Sequence, residues 1–466
     1  MALVWSSCDL QTDPRQSVSP EVALENVEGI QSTLTSLYAD MQDESRYGRH
    51  LLLASEIGTD ISKLNPQGTS GRYEGFFNNN FQSSLAPGIW SDSYEAINKA
   101  NLIIENVDEV EAGEDLRDQI RGEALFHRAI AYFDLLRVYS FEPTNPRVDD
   151  WDRGVILRTE AVDDVADADE RARASVFEVY EQIAEDLNTA EELLEGNDRG
   201  DVNFVTHEAV HALLARVELY RGNWAEAEMH ATDAIEEAGL DLISTGDMED
   251  NPFDEDPHPE SIFELAFATT ESLGGDSPPA ILTADTWEDM VATDDLLDLY
   301  EDDDARLALY TDDAVEDGWG YGWASSHTSG ETVSIKFPAE VGSSTDNHPI
   351  IRLPEMYLIR AEARAQQNDH GSAIDDLNTL QEARGMTPVD VAEDTDAIID
   401  EVFEERRREL AFEGHRWFDL KRTYQDIRRP PETGISDVSR DQNRILQGLP
   451  TTQVQNIEPL EQNPGY

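Results

Sequence analysis

Apolar residues recur at steps of three and four along most of this chain, the spacing that lines one side of an α-helix. The first such stripe runs through Val22, Leu24, Val27, Ile30, Leu34 and Leu37, opened by Ser19-Pro20-Glu21. Trp90, Tyr94, Ile97, Ala100, Asn101 and Ile104 make a second, so Trp90 reads as a core residue. From Leu116 to Tyr139, Ala124, Ala129 and Ala131 interleave with Phe126, Phe133 and Leu136, as closely packed helices require. Ser175 can cap a further helix carrying Val176, Val179, Ile183, Leu187 and Leu194.

One unit of pattern repeats. In Val205 to Gly239, Val205, Ala209, Leu213, Val217 and Tyr220 share a face. Gly222-Asn223 then ends that helix and caps the next, which carries Trp224, Ala227, Ala231, Ala234 and Ile235. Two helices and a tight turn in about 34 residues match the tetratricopeptide period. A second copy spans Pro354 to Gly385, with its turn at Asn368-Asp369 and Ala373 in the place of Ala227, 146 positions on. So large an offset argues against a continuous solenoid. The stretch Ile398 to Arg422 is a last long helix, broken at Gly414. Its Glu405, Glu409 and Glu413 step by four, within reach of Arg406, Arg408 and Arg416 at spacings of three. Such a carboxylate–guanidinium lattice predicts a structural seam rather than a catalytic centre.

Between the repeats, residues 241–350 lose the helical period. They hold DMEDNPFDEDPHPE, GGDSPP and EDGWGYGWASSHTSGE, with short strands expected at Ile262 to Phe267 and Thr332 to Phe337. In the glycine-rich loop Trp319, Tyr321 and Trp323 have no regular element to bury them. Such rings can stack on sugar faces or apolar side chains, or anchor the loop. A second aromatic and amide-rich loop carries Phe76, Phe77 and Asn79. The chain divides into a terminal tether (1–20), a helical repeat region (21–240), the loop-rich, ligand-bearing insertion (241–350) and a second helical region (351–466) packing back on the first.

Charge changes the picture. The 466 residues include 99 acidic and 34 basic ones, a formal net charge of −65. Only four of the cations are lysines (Lys63, Lys99, Lys336, Lys421). Nucleic acid and anionic membrane surfaces are poor partners for such a chain. With 39% hydrophobic residues and clear helical periods the chain is nonetheless expected to fold. A carboxylate-coated surface suits very salty surroundings, where ions screen its self-repulsion, and a halophilic source is the expectation. No run of about 18 apolar residues exists to span a bilayer. Cys8 is the sole cysteine, so no intramolecular disulfide forms; within MALVWSSCDLQTD it sits where a lipoprotein signal would end, as the lipidated residue.

Catalytic motifs are sparse. His207-Glu208-Ala209-Val210-His211 is a literal H-E-x-x-H on a predicted helix, with His230 or Glu236 as a possible third zinc ligand. His207 and His211 lie beside the buried face of a repeat helix, and strings this short recur by chance, so no metal, no cofactor and no catalytic residue is assigned. No G-x-S-x-G, P-loop or Cys–His pattern is present. The acidic run Glu301 to Asp304 lacks the glycine-turned spacing of a calcium loop.

Several strings resemble one family. Glu405, Arg406, Glu409, Leu410, Phe412, Glu413, Gly414, Arg416, Trp417, Asp419, Leu420 and Arg422 follow, in order and spacing, the C-terminal signature of the RagB/SusD nutrient-uptake lipoproteins. Trp90-xxx-Tyr94-xx-Ile97-xx-Ala100-Asn101, the Arg121 to Tyr139 segment, GVILRTEAV and the closing QNPGY resemble it too, and the likeness is weakest over 240–350. The resemblance implies a mainly α fold of tetratricopeptide-like hairpins with one loop-rich face. It implies a non-enzymatic lipoprotein on the outward side of the outer membrane, lid-like on a SusC-like TonB-dependent transporter. Such a protein captures oligosaccharides or peptides and delivers them to that partner, with the concave repeat surface as its partner face. An H-E-x-x-H zinc hydrolase and a peptide-binding tetratricopeptide scaffold are the competing expectations.

Overall fold

The structure is a computed structural model. It describes residues 24–66, 68–78, 88–162, 169–282, 287–311, 331–337, 346–389, 391 and 394–466. Counting only helices of seven or more residues, the order is α1 (Val27–Met41), α2 (Ile89–Asn106), α3 (Glu114–Tyr139), α4 (Val176–Leu194), α5 (His207–Arg221), α6 (Trp224–Ala238), α7 (Leu353–Gln366), α8 (His370–Ala383), α9 (Thr395–Glu409) and α10 (Arg416–Arg422). The mainly α fold expected from the sequence is the one observed.

Most helices start and stop where their local chemistry says they should. Ser175 and Glu178 form a reciprocal capping box on α4. Gly222 closes α5 at φ +75°, a left-handed position that glycine takes without penalty. Asp369 caps α8, accepting from the Ser372 amide. Two starts differ from expectation. Asn26 caps α1, accepting from the Gly29 amide, so this helix begins at Val27, and the Ser19-Pro20-Glu21 opening lies outside the described residues. Asn223 does not cap α6 with its side chain; its amide instead donates to Glu218 at 2.6 Å.

The hairpins α5–α6 and α7–α8 both form. Contrary to the sequence-based expectation, the offset between them does not break the array: α7 packs directly on α6, continuing the succession of α2, α3, α4 and α5. Arg364 of α7 reaches Glu228 of α6 at 3.0 Å. The insertion leaves the array after α6 and returns just before α7, and the chain closes the loop on itself. There β2 (Ser261–Leu265) pairs antiparallel with β6 (His348–Arg352), Ser261 facing Arg352. Two smaller ladders join β1 (Ser62–Leu64) to β3 (Met290–Ala292) and β4 (Tyr310–Thr311) to β5 (Val333–Ser334). One continuous apolar core runs from Leu24 to Leu460 and draws on helices and insertion alike.

The acidic face of α9 is buried, and its partners are not the predicted ones. Glu409 accepts from Arg306, Arg352 and Arg384, none of them on its own helix. Glu413 takes Arg352 and Lys336, Arg406 takes Asp419, and Arg416 takes Asp60. Only Arg408–Glu405 follows the expected spacing of three. A buried guanidinium has five N–H groups to satisfy, and one carboxylate on the same helix cannot meet them all.

Candidate functional site

An open cavity of about 490 Å³ lies where the loop after α1 meets the insertion. Asp43, Glu44, Ser45, Arg49 and His50 supply one wall, Arg72 and Tyr73 a second, Gly88 and Asp92 the start of α2, and Asp276 the insertion. Several of the charged groups are held by their neighbours. Arg49 pairs with Glu44 and reaches Asp276 at 2.9 Å; Arg72 reaches the same Asp276 oxygen, also at 2.9 Å. Ser45 donates to Asp92 at 2.5 Å. Burial alone would raise the Asp276 carboxyl, but the two arginines hold it below its ordinary value.

Two groups are left with capacity for a ligand. The Tyr73 hydroxyl is buried without a hydrogen-bond partner among the described residues, and burial pushes it up to about 12, so it stays a neutral donor. Trp287 is 48% exposed. Its indole N–H donates to the Gly275 carbonyl at 2.9 Å, and the Arg72 guanidinium stacks 5.0 Å from its ring. An indole locked by its edge beside a cavity rich in acceptors and donors forms a flat shelf, the arrangement that holds a polyhydroxylated ring by face and rim.

The residues singled out from the sequence fall differently. Trp319, Tyr321, Trp323, Asn79 and Cys8 lie outside the described residues. Phe76 and Phe77 do not face a ligand: both are buried, correcting the expectation of an aromatic binding loop there. They sit on a short helix, Glu74–Phe77. Phe76 packs 5.2 Å from the Trp417 ring, and Arg429 lies over Phe77 at 5.2 Å. Gly58 makes room for this contact, since a Cβ there would meet Phe76 at 2.6 Å and Trp417 at 2.8 Å. Sequence reasoning missed Arg49, Arg72, Tyr73, Asp276 and Trp287. The one signal available was a tryptophan and an arginine in segments without helical period.

The H-E-x-x-H string lies on the first turns of α5. Its Glu208 is held by the Thr206 hydroxyl and its own backbone amide at the helix start. His230 does approach His211, Nδ1 to Nδ1 at 3.0 Å, whereas the acidic neighbour on α6 is Glu237 rather than Glu236. Among the described residues no helix is long and apolar enough to cross a membrane.

Two family models match the chain: "Starch-binding associating with outer membrane" over residues 13–219 and "SusD family" over residues 336–466. Among curated proteins, SusD-like protein P2 of Formosa agariphila is 26% identical over 98% of this chain and 96% of its own length. SusD-like protein P38 of the same organism is also 26% identical, over 99% and 96%. Among solved structures, a candidate sugar-binding protein of Bacteroides vulgatus superposes with a TM-score of 0.81 at 27% identity, over 95% of this chain and 99% of its own. A laminarin-binding SusD-like protein shares the fold, with a TM-score of 0.71 at 21% identity over 95% and 100%. The matched ranges take in the cavity wall from Asp43 to Asp92 and the α9–α10 knot, while Asp276 and Trp287 fall between them. In sequence signature, helix order and full-length likeness, the chain belongs to the RagB/SusD family.

Proposed function

We propose that this protein is an outer-membrane lipoprotein, anchored through Cys8, that captures oligosaccharides at the cell surface. It hands them to a SusC-like TonB-dependent transporter, closing over the barrel as a lid. The observation that carries the reading is the shelf of Trp287 and Arg72 beside the cavity formed by Arg49, Tyr73, Asp92 and Asp276. Sugar faces bury their C–H groups on such a ring, while hydroxyls find the carboxylates, guanidinia and the Tyr73 hydroxyl. Trp319, Tyr321 and Trp323 of the glycine-rich loop are proposed as further ligand-binding residues. The outer-membrane description of the matched family supports the location.

Binding rather than turnover is the activity this arrangement supports. The Glu44, Asp92 and Asp276 carboxylates of the cavity are tied to arginines or a serine hydroxyl, Asp43 accepts from the Ser45 amide, and Glu208 of the H-E-x-x-H string is held at its helix start. The test is a panel of neutral and acidic oligosaccharides and peptides titrated against the purified chain. The expected outcome is micromolar binding of an oligosaccharide, weakened about tenfold or more by Trp287→Ala, the loss of roughly 1.4 kcal/mol. The Trp319→Ala/Trp323→Ala double variant is expected to weaken the same ligand. Affinity unchanged in Trp287→Ala removes the shelf from the site, and a panel in which only peptides bind overturns the saccharide reading.

A further inference from the structure

None of the residues of a histidine-rich cluster on α4, α5 and α6 lines the cavity. His207 and His211 stand one turn apart on α5, ring centroids 4.6 Å apart and nearly perpendicular. Both have their Nδ1 engaged: His207 lies 2.6 Å from Glu237 Oε2, and His211 lies 3.0 Å from His230 Nδ1. A carboxylate only accepts, so His207 donates its Nδ1–H to Glu237. Between two imidazole nitrogens one carries the hydrogen and the other accepts it. With His211 as donor, both histidines of α5 keep hydrogen on Nδ1 and leave Nε2 as an open lone pair. An outer partner on one nitrogen is how metal-ligating histidines are fixed in tautomer and orientation.

The open nitrogen of His211 faces carboxylates. Glu191 Oε1 of α4 and Glu237 Oε1 of α6 each lie 3.9 Å from its Nε2. One ligand atom each from Glu191, His207 and His211 falls within a 4.8 Å span. Ligand atoms about 2.1 Å from a tetrahedral ion sit roughly 3.4 Å from one another, so a small rotation of side chains converges the set. The His211 side chain is 5% exposed and Glu191 30%, which gives a held base and an entry path.

We propose that Glu191, His207 and His211 bind one divalent transition-metal ion, with Glu237 and His230 as outer partners of the two imidazoles. Mixed imidazole and carboxylate donors suit zinc, nickel, cobalt or copper over calcium or magnesium. Bound there, the ion clips α4 directly to α5, with α6 joined through the outer partners Glu237 and His230. Glu208, the general base of an H-E-x-x-H peptidase, is held at the helix start. This site is independent of saccharide capture at the Trp287 shelf.

The test is titration of the chelator-stripped full chain with cobalt(II) in molar sodium chloride and excess magnesium, which saturates the surface carboxylates. One cobalt per chain with visible d–d bands is expected, along with a higher melting temperature on adding zinc. His207→Gln and Glu191→Gln should each weaken binding by about 100-fold, the upper range for disturbing a histidine site. Asp233 of α6 groups with His230 and His211 on the other side of the His211 ring, and Asp233→Asn should leave binding unchanged. Circular dichroism of each metal-free variant checks the fold, and the wild-type spectrum decides the case by itself if a variant fails that check. Overturning results are wild-type cobalt binding without visible bands, equal affinity in His207→Gln, or loss in Asp233→Asn with Glu191→Gln unaffected. The last of these places the ion on the His230 side of His211.

Discussion

Glu413 is held by Arg352 at 2.8 Å and Lys336 at 2.7 Å, out of reach of solvent. Burial alone would raise its carboxyl, but the two cations pull it down to about 2. Glu409, under three arginines, also lies well below the ordinary range, and Asp419 is lowered by Arg406 and Arg422. Burial holds Lys336 itself below the usual lysine range, so the pair depends on both members being present. A carboxylate depressed in the folded state stabilises it fully above the unfolded pKa, and that stability is lost as pH falls towards the folded pKa. Folding stability is therefore expected to drop between about pH 4.5 and pH 2, by up to about 1.4 kcal/mol per pH unit for each such group. Glu413→Gln should be less stable than the parent at pH 7, with the gap closing across that window in denaturant titrations. A constant gap from pH 7 to pH 2.5 refutes the assignment.

The break between α9 and α10 is set by one close approach. Gly414 has φ +86°, and a Cβ there would sit 2.3 Å from the Leu51 carbonyl oxygen, a backbone atom with little freedom to move. Gly414→Ala is expected to cost on the order of 3 kcal/mol by urea titration. Gly371, inside α8 with ordinary φ and nothing within 4 Å, is its counterpart: Gly371→Ala should stabilise by roughly 0.5–1 kcal/mol. A loss at Gly371 or indifference at Gly414 contradicts this account. Elements of this kind were legible in sequence because their causes are local. Apolar steps of three and four marked α2 to α6, the second repeat copy marked α7 and α8, the charge spacing marked α9, Ser175 announced α4, and Gly222 and Asn368-Asp369 marked the hairpin turns. Partners were not legible. The seam on α9 announced its charges but not that Arg306, Arg352 and Arg384 would meet Glu409. The binding shelf was hidden for the same reason: Arg72 and Trp287 belong to segments more than 200 residues apart, neither with a period to display. Phe76 and Phe77 were misread because a loop-like composition conceals the short helix that turns them inward.

For the molecule as a whole the dominant fact is a formal charge of −65 around a core in which many charges are paired, as Arg306, Arg352, Arg384 and Arg422 show. The core pairs are shielded from salt, and the surface is not. Raising sodium chloride from about 0.1 M to about 1 M shortens the Debye length from about 10 Å to about 3 Å and removes most of the surface self-repulsion. The melting temperature is expected to rise monotonically over that range, in keeping with the proposed origin in a saline habitat. A fall in the same interval argues against that origin.

The pairing of Ser261–Leu265 with His348–Arg352 has a further consequence. It brings the two stems of the excursion together beside α5 and α7, so the tract between them leaves and rejoins the helical frame at one place while Arg306 and Lys336 tie it back to the acidic knot. Trp287 and the aromatic run at 319–323 both belong to that tract of sequence, whereas Arg49, Arg72 and Tyr73 precede it. Under the proposed function, ligand preference is then open to change through the exposed positions of that one tract, Trp287 first, with Arg306 and Lys336 left in place to hold the knot.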